Sequence, residues 1–248
     1  IISLVIFSFN ANRLVTVWSG FSTQAYADLW ADPQLLPATW LSLQIAAVSA
    51  SIALVLGTLC AVALVRFRRF RGKTVLQATV SAPLVMPDVI TGIALLLLFV
   101  TMQSLIGWPQ GRGVLTILLA HSTFCTAYVT VVVQSRLADF DMSLEEAAMD
   151  LGASPVRVFF DITLPIIAPA LVSGWLLAFT LSLDDLVIAS FVSGPGSSTL
   201  PMIIFSKVRL GVAPEVNALA TIIIGVVASG VVLATIYGLR QSAREKQA

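Results

Sequence analysis

The sequence predicts an all-α membrane protein of six transmembrane helices, the first of them cut short at the N-terminus. Three observations carry that expectation. Of 248 residues, 58% are hydrophobic and only 11% are charged, against about a quarter charged in a soluble domain, so the chain cannot cover its own surface in water. The apolar residues run in blocks: 37–65, 89–111, 162–183 and 216–239 hold no charged residue, and 113–135 holds only His121. Each block reaches the roughly 20 apolar residues that carry a helix across a bilayer, where backbone polar groups must bond within their own helix. The basic residues, finally, collect in alternate loops.

Taken in order, the spans fall at about 1–9 (partial), 40–65, 78–104, 113–135, 166–192 and 216–239, in one transmembrane domain of residues 1–248. The opening run 1–9 is too short to span and reads as the outer end of a first helix. The alternative, a leftover signal peptide, lacks a basic n-region and a small-residue cleavage site. Segment 10–39 reads as an outer-surface stretch whose Trp18, Tyr26 and Trp30, with Trp40 after them, suit the aromatic belt of a membrane interface. Pro83, Pro87 and Gly92 predict a kink in the third span, because each proline removes a helical hydrogen bond. Residues 193–196 read as a turn and 199–209 as a short outer helix, and Pro214 opens the last span. There Gly225, Ser229 and Gly230 favour close helix packing. Cys60 and Cys125 both lie in apolar spans and read as packing residues rather than a disulfide framework.

Lys and Arg set the orientation. Arg66, Arg68, Arg69, Arg71 and Lys73 share one loop, Arg136 and Arg157 another, and Arg240, Arg244 and Lys246 the tail. Even numbers of spans separate these segments, so all ten lie on one side. The other side holds four, Arg13, Arg112, Lys207 and Arg209. The asymmetry places 66–77, 136–165 and the C-terminus in the cytoplasm.

Within the second of these loops, 143–165 reads SLEEAAMDLGASPVRVFFDITLP. It predicts two short helices. Ser143 is placed to cap the first, with Glu146 three residues on as in a capping box. Leu144, Ala147, Ala148 and Leu151 form its apolar face, and Gly152 provides a left-handed stop. Ser154 caps the second, with Pro155 at its first position. The spacing EAA, three residues, Gly152, nine residues, then Ile162, Leu164 and Pro165 resembles the EAA loop of ATP-binding-cassette (ABC) importer permeases at every fixed position. That resemblance implies a type I permease fold and a docking helix in which Glu146, Ala147, Ala148, Asp150 and Gly152 face an ATP-binding subunit. The segments 82–92, 181–196 and 211–222 resemble the polyamine (putrescine and spermidine) branch of the family. Permeases for iron, thiosulfate and molybdate share the same scaffold. The family further implies a second permease subunit, two ATP-binding subunits and a periplasmic substrate-binding protein, in a bacterial inner membrane. By that resemblance the outer loop meets the binding protein and Lys207 and Arg209 offer it charge. A plain solvated loop is the alternative.

Three acids lie in or beside apolar spans: Asp88, Asp184 and Asp185. A carboxylate at the bilayer centre costs about 2.5–3.5 kcal/mol on insertion scales, so such a residue is expected to face a cavity or a partner. No Lys or Arg lies near them in sequence. Spaced carboxylates between aromatic walls suit a flexible polyamine, and Trp175 and Phe179, with Phe191, are the rings at helical spacing from the Asp pair. Two alternatives stay open. Adjacent helical residues point about 100° apart, so only one of Asp184 and Asp185 faces a pore squarely, and the other bonds to a partner subunit or to a serine such as Ser182. Asp88, directly after Pro87, is also placed to cap a broken helix.

Other classes fit less well. Intramembrane aspartyl proteases also use two acids on separate helices, but their glycine-flanked motif is missing. His121, the sole histidine, reads as a packing or interhelical bond, and no His, Cys and acidic residues have metal-ligand spacing. A self-sufficient secondary transporter leaves the EAA loop unexplained and is expected to carry paired repeats, of which there are none. The chain has no GxxxxGK[ST] loop, so no catalysis, cofactor or ATP site is expected on it. A net charge of +1 says nothing of nucleic acid, and no such partner is expected.

Overall fold

In a computed structural model of the protein, residues 1–12, 17–67, 69–210 and 214–245 are described, with backbone alone at 210 and 231–245. Arg13, Arg68 and Lys246, which enter the charge asymmetry, lie outside the described residues, as do 211–213 at the head of the 211–222 segment. Regular structure among the described residues is helical, with one isolated β-bridge between Asn10 and Phe21. Four stretches are long and apolar enough to cross a membrane: Leu35–Arg66, Asp88–Ile106, Val114–Ala138 and Pro155–Asp184. Pro214–Gly230 is apolar but shorter. The six spans drawn from sequence are therefore not reproduced one for one. The chain forms two compact units, 38–202 and 1–37 with 203–248.

The larger unit holds most of α3 (Leu35–Arg66), then α4 (Lys73–Val85), α5 (Asp88–Ile106) and α6 (Val114–Ala138). The loop helices α7 (Ser143–Asp150) and α8 (Pro155–Val158) follow, with a π-helical turn (Phe159–Thr163), α9 (Leu164–Asp184) and α10 (Val187–Val192). Two expected spans are broken. Span 78–104 is split at Met86–Pro87, where Met86 is extended at ψ 137°, as the residue before a proline is driven to be. Span 166–192 is split at Asp185, extended at φ −66° and ψ 122°. No proline forces this second break. The Asp185 carboxylate holds it by accepting the N–H groups of Ile188 (3.2 Å) and Ala189 (2.7 Å), the orphan donors at the start of α10.

Helix α6 is the centre of this unit. In its apolar stretch 61% of residues are buried, against 33% or less in the other three long helices. It packs on α9, α10 and α4, and α3 reaches it through Gly57, where a Cβ would stand 2.7 Å from the Val129 side chain. Helix α5 lies against α10 in the same way, with a Cβ on Gly92 falling 2.5 Å from the Phe191 ring. Buried Ile117, Phe124, Cys125, Val129, Ile167 and Ala178 fill the core between these helices.

The second unit is built from α1 (Ile2–Phe7), α2 (Gln24–Ala31), most of α11 (Leu200–Leu210) and α12 (Pro214–Glu245). Helices α1 and α2 pack on α12, burying Ala25 and Leu29 of α2 and Val216, Ala218 and Leu219 of α12. Phe9 stacks on Phe21 at 5.3 Å and leans on Tyr26, whose hydroxyl bonds Ser8 at 2.9 Å. Tyr26 is thus part of the packing, whereas Trp18, Trp30 and Trp40 are exposed. Asp32 accepts the N–H groups of Gln34 and Leu35 and pairs with Lys207 at 2.6 Å, while Lys207 also reaches Glu215 at 3.3 Å. Burial alone would raise the Asp32 carboxyl. The Lys207 ammonium and the two N–H groups outweigh it and hold the group below the usual carboxylate range. Burial would likewise lower Lys207, but Asp32 and Glu215 raise it above its ordinary value.

Candidate functional site

The two breaks in the long helices lie beside each other. Asp88 begins α5, Asp184 ends α9, Asp185 bridges to α10, and all three line one cavity of about 320 Å³. Tyr128 and Phe124 of α6 form its aromatic wall, and Thr91, Leu181 and Pro83 are among its other lining residues. No lysine, arginine or histidine lines it. The helix ends add backbone partial charge of both signs. The last carbonyls of α9 have no intrahelical partner and form the negative end of a helix dipole, and Asp184 stands at that end. Asp88, in the first turn of α5, sits where the dipole favours an anion. The described residues thus leave an acidic pocket at the ends of broken helices with no cation of their own in its wall.

The two adjacent aspartates differ. Asp185 has only 8% of its side chain exposed and binds His121 Nε2 at 3.1 Å, besides the α10 N–H groups. His121 is fully buried, and its Nδ1 lies 2.7 Å from Ser182 Oγ. Asp185 therefore joins α6, α9 and α10, and Ser182 reaches it through the histidine rather than directly. Among the described residues, no hydrogen bond or ion pair to another residue engages the Asp184 side chain. Among the described residues no hydrogen bond from the Asp88 side chain caps the broken helix, and Asp88 lines the cavity.

The aromatic wall differs from the one expected. Trp175 and Phe179 stack on each other at 5.2 Å, and Trp175 Nε1 donates to Ser51 of α3 at 3.1 Å. They pack α9 against α3 and do not line the cavity. Phe191 packs on Gly92. The rings that line it had a sequence signal. Phe124 and Tyr128 lie four residues apart on one face of α6, one turn after buried His121, whose ring meets that of Phe124.

At the other end of these helices the 143–165 segment forms the two expected short helices, and Gly152 adopts φ +87°. The second cap is as expected, Ser154 Oγ accepting the Arg157 N–H. The first is not. Ser143 is itself helical, and its N–H goes to Asp141 Oδ1 at 3.0 Å, a bond that holds the Asp141 carboxyl below its usual range. Glu146, Ala147, Asp150 and Gly152 are exposed and Ala148 is half-buried. Glu145, which the sequence reading passed over, turns inward. Its carboxylate pairs with Arg66 of α3 at 2.6 Å and accepts the hydroxyl of buried Thr163 in the π-helical turn. Arg66 also lies over the Phe140 ring at 5.0 Å and against Met142 Sδ. In the second unit Arg209 is exposed, its guanidinium over the Phe205 ring at 5.3 Å. Lys207 is half-buried and held by Asp32 and Glu215.

Residues 53–244 match the family described as binding-protein-dependent transport system inner membrane component. The putrescine transport system permease protein PotI of Escherichia coli K12 is 65% identical over 224 residues, 90% of this chain and 80% of its own. The spermidine/putrescine transport system permease protein PotC is 44% identical in Escherichia coli K12, covering 90% of this chain and 82% of that one. In Haemophilus influenzae it is 47% identical, covering 90% and 84%. Among solved structures, a bacterial ABC transporter involved in import of the acidic polysaccharide alginate superposes with a TM-score of 0.71 at 18% identity, covering 95% of this chain and 89% of that one. The MetNI methionine ABC transporter does so at 0.66 and 17%, covering 86% and 97%. At these identities the likeness speaks for the fold alone.

Proposed function

We propose, since this chain belongs to the family of binding-protein-dependent transport system inner membrane components and has the type I ABC importer permease fold, that it is the membrane subunit through which a polyamine such as putrescine or spermidine enters the cell. One observation carries the cargo assignment: Asp88, Asp184 and Asp185 share a cavity with Tyr128 and Phe124 and with no basic residue. A polyamine brings ammonium groups on an apolar chain, so carboxylates and carbonyl ends can replace its hydration while rings cover its methylenes. The same wall repels thiosulfate or molybdate, since bringing an anion beside carboxylates in a low-dielectric pocket is unfavourable. The names of the PotI and PotC relatives point to the same cargo.

The groups fit the alternating-access scheme that membership of the family suggests. A binding protein delivers cargo at the outer face, where exposed Arg209 is a candidate contact. The cargo's ammonium meets Asp184 at the α9 C-terminus, with Asp88 across the cavity. Asp185 holds the break open through His121 and the start of α10. A separate pair of ATP-binding subunits closes on ATP at the cytoplasmic face, against Glu146, Ala147, Asp150 and Gly152. That closure moves α7 and α8, turns the cavity between this chain and a second permease subunit from one side to the other, and hydrolysis resets it. The loop 66–77, the docking helices and the C-terminus are cytoplasmic in this scheme. The test is ATP hydrolysis by the reconstituted assembly. Binding protein loaded with putrescine should stimulate it, and thiosulfate or molybdate should not. Stimulation by an anion would overturn the cargo assignment.

A further inference from the structure

Helix α7 carries two adjacent glutamates that face different ways. Glu146 is exposed, and Glu145 is turned toward α3 with its side chain 12% exposed. The partner of Glu145, Arg66, is the last residue of α3 and is 13% exposed. The second partner, Thr163, is the last residue of the π-helical turn that runs into α9 and is 1% exposed. One carboxylate therefore ties the loop helix to the ends of two long helices. An apolar cavity of about 540 Å³, walled in part by Leu59, Val62 and Phe160, borders the pair. In such surroundings an ion pair is screened less than on an open surface. The π-helical turn widens the chain at this one point, and its last residue is the one that meets Glu145.

The remaining contacts of α7 are few. Leu144, Met149 and Leu151 are exposed, so its apolar face is not buried in this chain, and α7 is only eight residues long. A helix this short has little stability of its own. Glu145 supplies the ion pair that ties it to α3.

We propose that Glu145, clamped between Arg66 and Thr163, is the positioning residue that orients α7 so that Glu146 and Ala147 are presented outward, and that it passes movement of α7 to both α3 and α9. This rests on the reading of α7 as the ATPase-docking helix. Breaking the clamp should leave ATP hydrolysis running while transport falls away. A device that only stabilised the fold would reduce both together.

The test uses the whole importer in proteoliposomes with its binding protein and labelled putrescine, measuring uptake per ATP hydrolysed. Arg66→Glu and Glu145→Arg should each lower that ratio by about tenfold, as expected for two groups that couple directly, and the double exchange should restore most of it. Thr163→Val should lower it and Thr163→Ser should not. Unchanged ratios in the single variants would overturn the proposal, and so would a lowered ratio that the double exchange fails to rescue. Should the single variants fail to assemble, the double exchange decides in the same way. A parallel cross-link from Ala147→Cys to the ATP-binding subunit, in a chain lacking Cys60 and Cys125, separates the two readings. Cross-linking with unchanged ratios sinks the clamp alone. No cross-link in the otherwise unaltered chain sinks the docking role and the clamp with it.

Discussion

Asp184 and Asp185 are neighbours in sequence with different surroundings, and the difference can be measured. Asp185 supplies two bonds to the start of α10 and one to His121. Asp185→Ala should cost about 1–3 kcal/mol, since it removes a helix cap and leaves a buried ring nitrogen unpaired. The readout is the thermal unfolding midpoint of the purified complex. Asp184→Asn removes no such bond and should leave the midpoint within about 0.5 kcal/mol of wild type while uptake falls. If Asp184→Asn lowered the midpoint as far as Asp185→Ala does, their roles would be misassigned. The glycines give a third test. Gly57→Ala forces a Cβ to within 2.7 Å of Val129 and Gly92→Ala to within 2.5 Å of Phe191, so each should destabilise by about 1–3 kcal/mol. Gly225→Ala, with open space around it, should be silent in the chain alone. The sequence made the three acids legible because a carboxylate in an apolar run is costly wherever it lacks a purpose. It did not reveal which acid does what, because that depends on His121 and Ser182, 64 and 61 positions from their partners along the chain. Glu145 was passed over for a similar reason: its partner Arg66 is 79 residues away.

The helices show the same boundary between what local chemistry announces and what packing decides. Blocks of apolar residues marked α3, α5, α6 and α9, and Gly152 and Ser154 marked the turn and cap between α7 and α8. Met86–Pro87 was legible as a kink, but the sequence did not say that α4 and α5 would separate outright. The Asp185 break left no proline or glycine to read. Asp32, Lys207 and Glu215 lock α11, the start of α12 and the first turn of α3 within one unit. The folded carboxyl of Asp32 is depressed below 3.8, so its contribution is present above that value and lost as pH falls through the lower, folded one. The folded ammonium of Lys207 is raised above 10.5, so its contribution is complete below that value and lost as pH rises through the higher one. The unfolding midpoint of Asp32→Asn should therefore lie below wild type by a constant margin across neutral pH, and the margin should close on acidification. A margin that grew on acidification would contradict the pairing.

For the molecule as a whole, the charge asymmetry predicts that the 66–77 loop and the 143–165 docking helices share a side with the C-terminus. A thiol reagent that does not cross membranes should fail to label Arg71→Cys in intact cells and label it in inverted vesicles. A cysteine in place of Arg209 should behave in the opposite way, and labelling of both from the same side would overturn the orientation. The central claim is that a cation passes through the acidic cavity of the larger unit under the control of the loop. The most direct measurement is uptake of labelled putrescine and spermidine by cells that make the whole importer, with wild type beside Asp184→Asn and Glu146→Ala. Loss of uptake in both variants, with the complex assembled and only Glu146→Ala uncoupled from ATP hydrolysis, is the predicted result. Assembled wild-type importer that moves neither polyamine, or Asp184→Asn that moves both at the wild-type rate, would contradict the account.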